Sequence, residues 1–286
     1  MLLAGNMVAN GNFLIYCEQD SGKGVTPVKI AVCVKQVPDT WAEKKLRVDT
    51  STLDRESADG VLNELDEYAV EQALQLVEAQ GGEVVIVTMG PERASETLRK
   101  AISMGADAGI HIVDENLAGS DAVATSAVLA KVLTGRDFDL ILFGSESTDA
   151  RMSVIPAMVA ERLDLAQVTF AQKVDVAGTT LTAERVTDYG FDTLTASLPA
   201  VVSVVEKINE PRYPSFKGIM AAKKKPIEIF SVTDLGLENT LVGAGAAWSV
   251  VADFADRPPK AAGVVVTDDG AGGTAIADYL TTAKFI

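Results

Sequence analysis

The sequence is poor in the residues that build metal centres and disulfide frameworks. Its 286 residues include two cysteines and one histidine. Cys17 and Cys33 form no CxxC motif, and Cys33 lies inside an apolar run, so we expect neither a disulfide framework nor an iron–sulfur or zinc site. His111 follows an apolar run without a nearby acid or nucleophile, and we interpret it as structural. Two such cysteines indicate a reducing compartment, and the predicted location is the cytoplasm.

Basic residues and long apolar runs are also scarce. Twenty-five Lys and Arg residues stand against 40 Asp and Glu residues, a net charge of −15. Phosphate backbones and anionic lipid surfaces repel such a chain, so nucleic acids and membrane surfaces are excluded as partners. No stretch reaches the roughly 18 consecutive apolar residues of a membrane span, so no direct membrane insertion is predicted.

The first 27 residues lack clear periodicity and lack the basic region of a signal peptide. We interpret residues 1–27 as a flexible leader or a wrongly assigned start of the chain, because the patterned sequence begins at Val28.

From Val28 onward, short apolar runs alternate with segments of helical periodicity. The predicted strands are 29–34, 84–89, 109–113 and 139–143, and the predicted helices are 63–79, 92–104, from a cap at Ser120 or Asp121 to 133, and from about Asp149 to 163. Strands and helices that alternate through short connections form right-handed βαβ units. The sequence therefore predicts an α/β fold with a doubly wound, mostly parallel sheet of the type that binds adenine nucleotides.

The rhythm changes beyond residue 165. Shorter, partly antiparallel strands are predicted at 173–176, 180–186, 193–196 and 200–205. A loop broken by Pro211 and Pro214 follows, and a Gly/Ala-rich tail begins near Leu235. We predict one domain over 28–230 and a C-terminal arm over 231–286 that packs on a partner.

Two segments look functional. The first, from Gly144 to Ile155, leaves a strand and enters a helix, which is where doubly wound sheets bind ligands. It carries the hydroxyls of Ser145, Ser147, Thr148 and Ser153, and a helix N-terminus favours an anion. The alternative interpretation is an ordinary polar loop capped by Asp149.

The second segment is Pro211–Met220, next to the basic run Lys223–Lys225. It has four large apolar side chains: Tyr213, Phe216, Ile219 and Met220. A loop seldom exposes that much apolar surface without a partner, which favours protein recognition. The alternative for the basic run is a solvated surface.

This second segment also carries a family resemblance. Residues 209–225, NEPRYPSFKGIMAAKKK, resemble the signature of electron transfer flavoprotein beta subunits. Four further blocks fit the same family: VCVKQVPD at 32–39, NELDEYAVE at 63–71, AISMGAD at 101–107 and LPAVV at 198–202. The blocks occur in the family's order and extend over nearly the whole patterned chain.

The resemblance implies a heterodimer in which an alpha subunit holds most of the FAD. The chain would bury AMP, would lack catalytic residues of its own, and would carry electrons from acyl-CoA dehydrogenases or related donors to a quinone oxidoreductase. The implied AMP-site residues are Cys33, Asn63, Glu64, Leu65, Asp66, Met89, Gly144, Ser145, Glu146, Ser147, Thr148, Asp149, Arg151 and Ser153. Thr40 would lie near the FAD, and residues 212–221 would dock the dehydrogenase through Arg212, Tyr213, Phe216, Ile219 and Met220.

The chain departs from the family pattern at two places. Bulkier residues, Ala150–Ile155, stand where relatives commonly have glycines or small polar residues, so Arg151 is expected to neutralise the phosphate in place of a backbone cradle. In the block Glu184–Gly190, Val186 replaces an acidic residue, which predicts altered contact with the mobile flavin domain.

Two alternatives from other functional classes remain at this level. A stand-alone adenine-nucleotide-binding enzyme, such as an ATP-pyrophosphatase-like domain, needs a Gly/Ser-rich phosphate loop after the first strand, where this chain has Lys35–Asp39. A stress-type nucleotide-binding module without a partner leaves the C-terminal arm unexplained.

Overall fold

A computed structural model describes residues 27–255, 258–260, 262–263 and 265–286. Residues 1–26 of the expected leader, which include Cys17, lie outside the described residues. The chain divides into two compact units, one that ends at Val250 and one that runs from Val251 to Ile286.

The first unit contains the predicted alternation of strands and helices. The strands are β1 Val28–Val34, β2 Gln36–Pro38, β3 Gly60–Leu62, β4 Gly82–Met89, β5 Ala108–Ile112, β6 Leu140–Gly144, β7 Ala166–Ala177, β8 Thr180–Thr187, β9 Gly190–Ser197, β10 Ala200–Val204 and β11 Ile227–Phe230. The helices are α1 Glu64–Gln80, α2 Ala94–Ser103, α3 Ala122–Leu133, α4 Ile155–Leu163 and α5 Phe216–Ala222.

Nine of the described strands form one sheet in the order β11-β5-β4-β1-β6-β10-β7-β8-β9. Pairing is parallel from β11 to β7 and antiparallel from β7 to β9. The predicted α/β fold with a mostly parallel sheet is confirmed. β2 and β3 form a separate antiparallel ribbon beside this sheet.

The central strand β1 shows why the sheet is covered on both faces. Ile30, Val32 and Val34 belong to an apolar cluster that includes residues of α1 and α2. Ala31 and Cys33 belong to a second cluster, which includes residues of α3 and α4. Because alternate residues of a strand point to opposite faces, a nearly continuous apolar run is what a central strand with helices on both sides requires.

The second half of the first unit differs from the prediction in extent. β7 begins at Ala166, well before the expected residue 173, and β10 lies parallel between β6 and β7. All five residues of β10 are buried, as in a central strand. In this half, β8 pairs in the antiparallel manner with β7 on one side and with β9 on the other.

The predicted loop at 212–221 is wrong in part, because α5 begins at Phe216. The Ser215 hydroxyl accepts the N–H of Gly218 at 3.1 Å and so caps the helix. The two prolines precede this cap, where they do not interrupt helical hydrogen bonds.

The packed core continues past residue 230, the expected end of the domain. β11 was not predicted; it pairs with β5 at the edge of the sheet. Val232, Leu235 and Val242 are buried in the cluster beside α3. The Asp121 carboxylate, which caps α3, also accepts the N–H groups of Trp248 and Ser249. The chain is therefore fixed to the body of this unit as far as Ser249.

The second unit contains helix α6, Gly272–Thr282. Ile276 and Tyr279 of this helix are exposed, and the ring of Tyr279 lies 6.5 Å from that of Phe285. Among the described residues, no helix combines the length and the apolar character needed to cross a bilayer.

Candidate functional site

The candidate site lies where the order of the sheet reverses. From β1 the chain moves outward through β4 to β5, and then returns by way of α3 to β6 on the other side of β1. The connections that leave β1 and β6 at their carboxyl ends therefore lead toward opposite faces of the sheet, to α1 and to α4. In doubly wound sheets this switch point is where ligands bind.

Asp66 joins the two strands at this point. Its carboxylate accepts the backbone N–H of Lys35, just after β1, at 2.8 Å. A Cβ on Gly144, the last residue of β6, would lie 2.5 Å from Asp66 Oδ1 and 2.7 Å from the Leu65 carbonyl. The close approach that Gly144 permits is thus to the first turn of α1. Burial raises the pKa of Asp66 to about 7, against the opposing effect of the hydrogen bonds from Asn63, Lys35 and Gly144.

Asn63 holds the loop that follows β6. Its side-chain N–H donates to the Glu146 carbonyl at 2.9 Å, and its side-chain oxygen accepts the Thr148 N–H at 3.0 Å. Asn63 is fully buried. Its two hydrogen bonds satisfy main-chain groups that an irregular loop would otherwise leave unpaired. The Ser153 hydroxyl donates to the Glu146 carboxylate at 3.1 Å, which closes the loop on itself.

Asp149 is the charged centre of the site. Its side chain is 1% exposed and binds two cations: Lys35 Nζ lies 2.8 Å from Oδ1, and Arg55 Nη2 lies 2.8 Å from Oδ2. Lys35 Nζ also donates to the Ser147 hydroxyl at 3.3 Å. Burial alone would raise the pKa of Asp149, but the two cations outweigh it and lower this pKa to about 2. We call Lys35, Arg55 and Asp149 the Asp149 cluster.

The chain between Asp149 and α4 is strained. Arg151 and Ser153 have φ values of 50° and 56°, in the left-handed region that glycine adopts without cost. α4 therefore starts at Ile155 and not close to Asp149 as predicted. Its N-cap residue, Val154, provides no side-chain acceptor for the first turn, and Pro156 has no N–H, so the turn can offer an anion only the N–H groups of its other residues.

Five buried side-chain atoms have no partner in the part of the chain that the structure describes, and two of them are hydroxyls on segments that the resemblance assigns to cofactors. These two are Thr148 Oγ1, on the loop after β6, and Thr40 Oγ1, on the segment between β2 and β3. Leaving a buried hydroxyl unpaired costs free energy, so each of these atoms marks a position at which a ligand or a partner can donate or accept a hydrogen bond.

The remaining predicted AMP-site residues surround these groups less directly. Cys33 is a free, buried thiol, and burial followed by the charge of Asp66 raises its pKa, so it is not a nucleophile. Met89 packs against the same apolar cluster as Cys33. Ser145 is buried, whereas Glu64 and Arg151 are exposed.

The predicted recognition segment lies on another part of this unit. Arg212 is held there by α1: its Nε lies 2.7 Å from Glu71 Oε2, and its Nη2 lies 3.0 Å from Glu78 Oε2. The hydrogen bonds that Arg212 donates to these carboxylates raise its pKa. Tyr213 and Phe216 are 95% and 82% exposed, and Ile219 and Met220 are exposed beside them.

Two cations of the site were missing from the predicted site residues. Lys35 belongs to the block at 32–39, and its position directly after the strand Val28–Val34, where doubly wound sheets bind ligands, is the signal that could have found it. Arg55 gave no signal, because it lies in the long connection between β2 and β3, without periodicity.

These features define a doubly wound α/β protein whose polar side chains converge at the switch point of its sheet. Residues 50–235 match the family described as the Electron transfer flavoprotein domain. The chain is 49% identical to the electron transfer flavoprotein subunit beta of Mycobacterium bovis and to that of Mycobacterium leprae, over 90% of this chain and 99% of each relative. It is 35% identical to the caffeyl-CoA reductase-Etf complex subunit CarD of Acetobacterium woodii, over 84% of this chain and 92% of that protein.

The chain belongs to the electron transfer flavoprotein beta subunit family. The resemblance found in the sequence blocks is thereby confirmed. Membership supports a role in electron transfer within a flavoprotein, and a beta subunit implies an alpha subunit as its partner.

Proposed function

We propose that this chain is the non-catalytic half of a soluble electron carrier in the cytoplasm. In this proposal the alpha subunit holds most of the FAD, acyl-CoA dehydrogenases or related enzymes donate the electrons, and a quinone oxidoreductase accepts them. When bound, FAD supplies the electron chemistry. This chain provides a rigid support, a nucleotide site and a docking surface.

The observation that carries the proposal is the family match over residues 50–235, and two unpaired buried hydroxyls agree with it. Thr148 Oγ1 lies on the loop that the family resemblance assigns to AMP, and Thr40 Oγ1 lies on the segment that it assigns to the flavin edge. Both hydroxyls are suited to a polar ligand, and neither has a partner in the described chain. The free, buried thiol of Cys33 agrees with a reducing cytoplasm.

The loop after β6 fits the phosphate of AMP. Thr148 offers its hydroxyl, the first turn of α4 offers N–H groups, and the exposed Arg151 offers a positive charge. Arg151 and Ser153 adopt the left-handed backbone even though they are not glycines, so the loop keeps a glycine-like path despite its bulkier residues. We propose Asn63, Asp66 and Asp149 as residues that hold this loop in shape.

The first test concerns the flavin. The chain purified alone should be colourless, because it holds only an edge of the proposed FAD site. Co-expression with an alpha subunit should give a yellow heterodimer, measured by its visible absorbance. Stoichiometric flavin bound to the isolated chain would contradict the proposed division of the cofactor between subunits.

The second test concerns the nucleotide. Denatured heterodimer should release about one AMP per beta subunit, and Arg151→Glu should abolish its retention, because the new carboxylate repels the phosphate. Release is measured by chromatography of the denatured supernatant. Lys207→Glu, the same charge change at another exposed position, is the control and should retain AMP. A nucleotide-free wild-type heterodimer of full stability would refute the AMP site.

A further inference from the structure

Arg55 joins two segments of the first unit that are distant in sequence. One is the 39–59 segment, the connection between β2 and β3, which carries Thr40. The other is the loop at 144–149. Ninety-four residues separate Arg55 from Asp149, yet the guanidinium reaches the carboxylate at 2.8 Å. This ion pair restrains both segments, because neither segment can move away from the other without breaking it.

The two carboxylate oxygens of Asp149 bind cations from two different segments. Oδ1 accepts from Lys35, at the end of β1, and Oδ2 accepts from Arg55. A rotation of the carboxylate that releases one cation therefore disturbs the bond to the other. Since the side chain is 1% exposed, water cannot readily replace either partner, and breaking one bond leaves a buried charge poorly compensated.

The backbone of Arg55 is also anchored. Its carbonyl accepts a hydrogen bond from the guanidinium of Arg93, which is the N-cap residue of α2. Gln36 donates to the Arg93 carbonyl at 3.1 Å and to the Thr97 hydroxyl at 3.0 Å. Arg55 is thus held from one side by α2 and from the other by Asp149.

The 39–59 segment holds a second arginine, Arg47, whose ion pair is local. Arg47 pairs with Asp49 two residues away, at 3.4 Å, in an exposed position. Arg55 differs from Arg47 because its partner is buried and belongs to the candidate site. The contrast gives a matched pair of arginines in one segment, one that links segments and one that does not.

We propose that Arg55 is a positioning residue that makes the 39–59 segment and the loop at 144–149 move as one body. The coupling itself rests on the contacts above; its role between the AMP loop and the flavin edge at Thr40 rests on the proposed function. Under this proposal, a nucleotide that orders the loop at 144–149 also orders the edge that faces the flavin.

The test is amide hydrogen exchange of the heterodimer, resolved by peptide. Arg55→Gln should speed exchange roughly fivefold or more in both 40–54 and 145–149, since loss of the ion pair opens both segments. Arg47→Gln, the matched control, should leave 145–149 at the wild-type rate. Arg55→Lys, which restores the charge, should recover part of the protection in both segments.

A double variant separates coupling from general loosening. Asp149→Asn should reproduce the Arg55→Gln pattern, and adding Arg55→Gln to Asp149→Asn should cause little further change at 145–149. In nucleotide-depleted wild-type heterodimer, added AMP should slow exchange in both segments, whereas in Arg55→Gln it should slow 145–149 alone.

The proposal is overturned if Arg55→Gln leaves 145–149 at the wild-type rate, or if the two substitutions act additively there. If wild-type heterodimer neither holds nor takes up AMP, the AMP part of the proposed function fails. The comparison of ligand-free variants still decides whether Arg55 couples the segments.

Discussion

Phe216→Ala is expected to raise the apparent Michaelis constant of the dehydrogenase for the heterodimer at least tenfold. The ring is 82% exposed at the start of α5, where it is free to enter a pocket on the partner. An aromatic anchor of this kind carries about 2 kcal/mol or more of binding energy, and about 1.4 kcal/mol corresponds to a factor of ten. Steady-state assays over a range of heterodimer concentrations measure the effect.

Two controls show whether the loss is one of docking. Lys224→Ala, at an exposed position beside α5, should have a smaller effect that fades with added salt, because charges at the rim of an interface contribute little. The visible spectrum and the melting temperature of the Phe216→Ala heterodimer should match the wild type, since the ring contributes little to the core. Unchanged kinetics with several candidate dehydrogenases would exclude Phe216 from docking.

Gly144→Ala is expected to lower the melting temperature of the heterodimer by about 6 °C or more. The added Cβ would lie 2.7 Å from the carbonyl of Leu65 and 2.5 Å from Asp66 Oδ1. The Leu65 carbonyl belongs to the main chain at the first turn of α1 and cannot rotate away, and the Asp66 carboxylate is restrained by its hydrogen bond from the Lys35 N–H. Overpacking of this kind costs about 3 kcal/mol, and each kcal/mol lowers the melting temperature by about 2–4 °C in a chain of 150–250 residues.

Gly245→Ala is the matched control for this substitution. A Cβ at Gly245 would meet nothing within 4 Å, so its melting temperature should stay close to that of the wild type. If the Gly144→Ala heterodimer has the same melting temperature as the wild type, β6 does not approach α1 as closely as the structure shows. If both variants melt early, loss of glycine and not the contact with α1 is responsible.

Much of the fold follows from local pattern. The apolar run of β1 and the amphipathic pattern of α1 predicted a strand and a helix within about a residue of their observed bounds. β11 was not predicted because the strand has only four residues and they are partly or fully exposed. Neither a buried run nor a regular alternation therefore marks it. α5 escaped because two prolines precede it, and its start depends on the Ser215 cap.

The candidate site was predictable only in outline. A polar loop after β6 follows from the topology of doubly wound sheets, which bring the carboxyl ends of β1 and β6 together. Family resemblance named Asn63 and the loop as parts of one implied site, but it did not predict the hydrogen bond between them, because no local pattern joins residues 83 positions apart. Arg55 could not be found in this way, since its role depends on a buried partner that only the tertiary structure brings within reach.

The ion pairs that hold Arg212 against α1 also bear on the timing of electron delivery. Glu71 and Glu78 fix the base of the recognition segment before any partner arrives. A surface that is already ordered does not need to search through conformations at each encounter, so its association rate is set mainly by diffusion and orientation. In the proposed role, a carrier that must leave one protein and reach another benefits from arriving quickly and binding with only moderate affinity. In that role, exchange between donor and acceptor is limited by dissociation and not by ordering of the segment at each encounter.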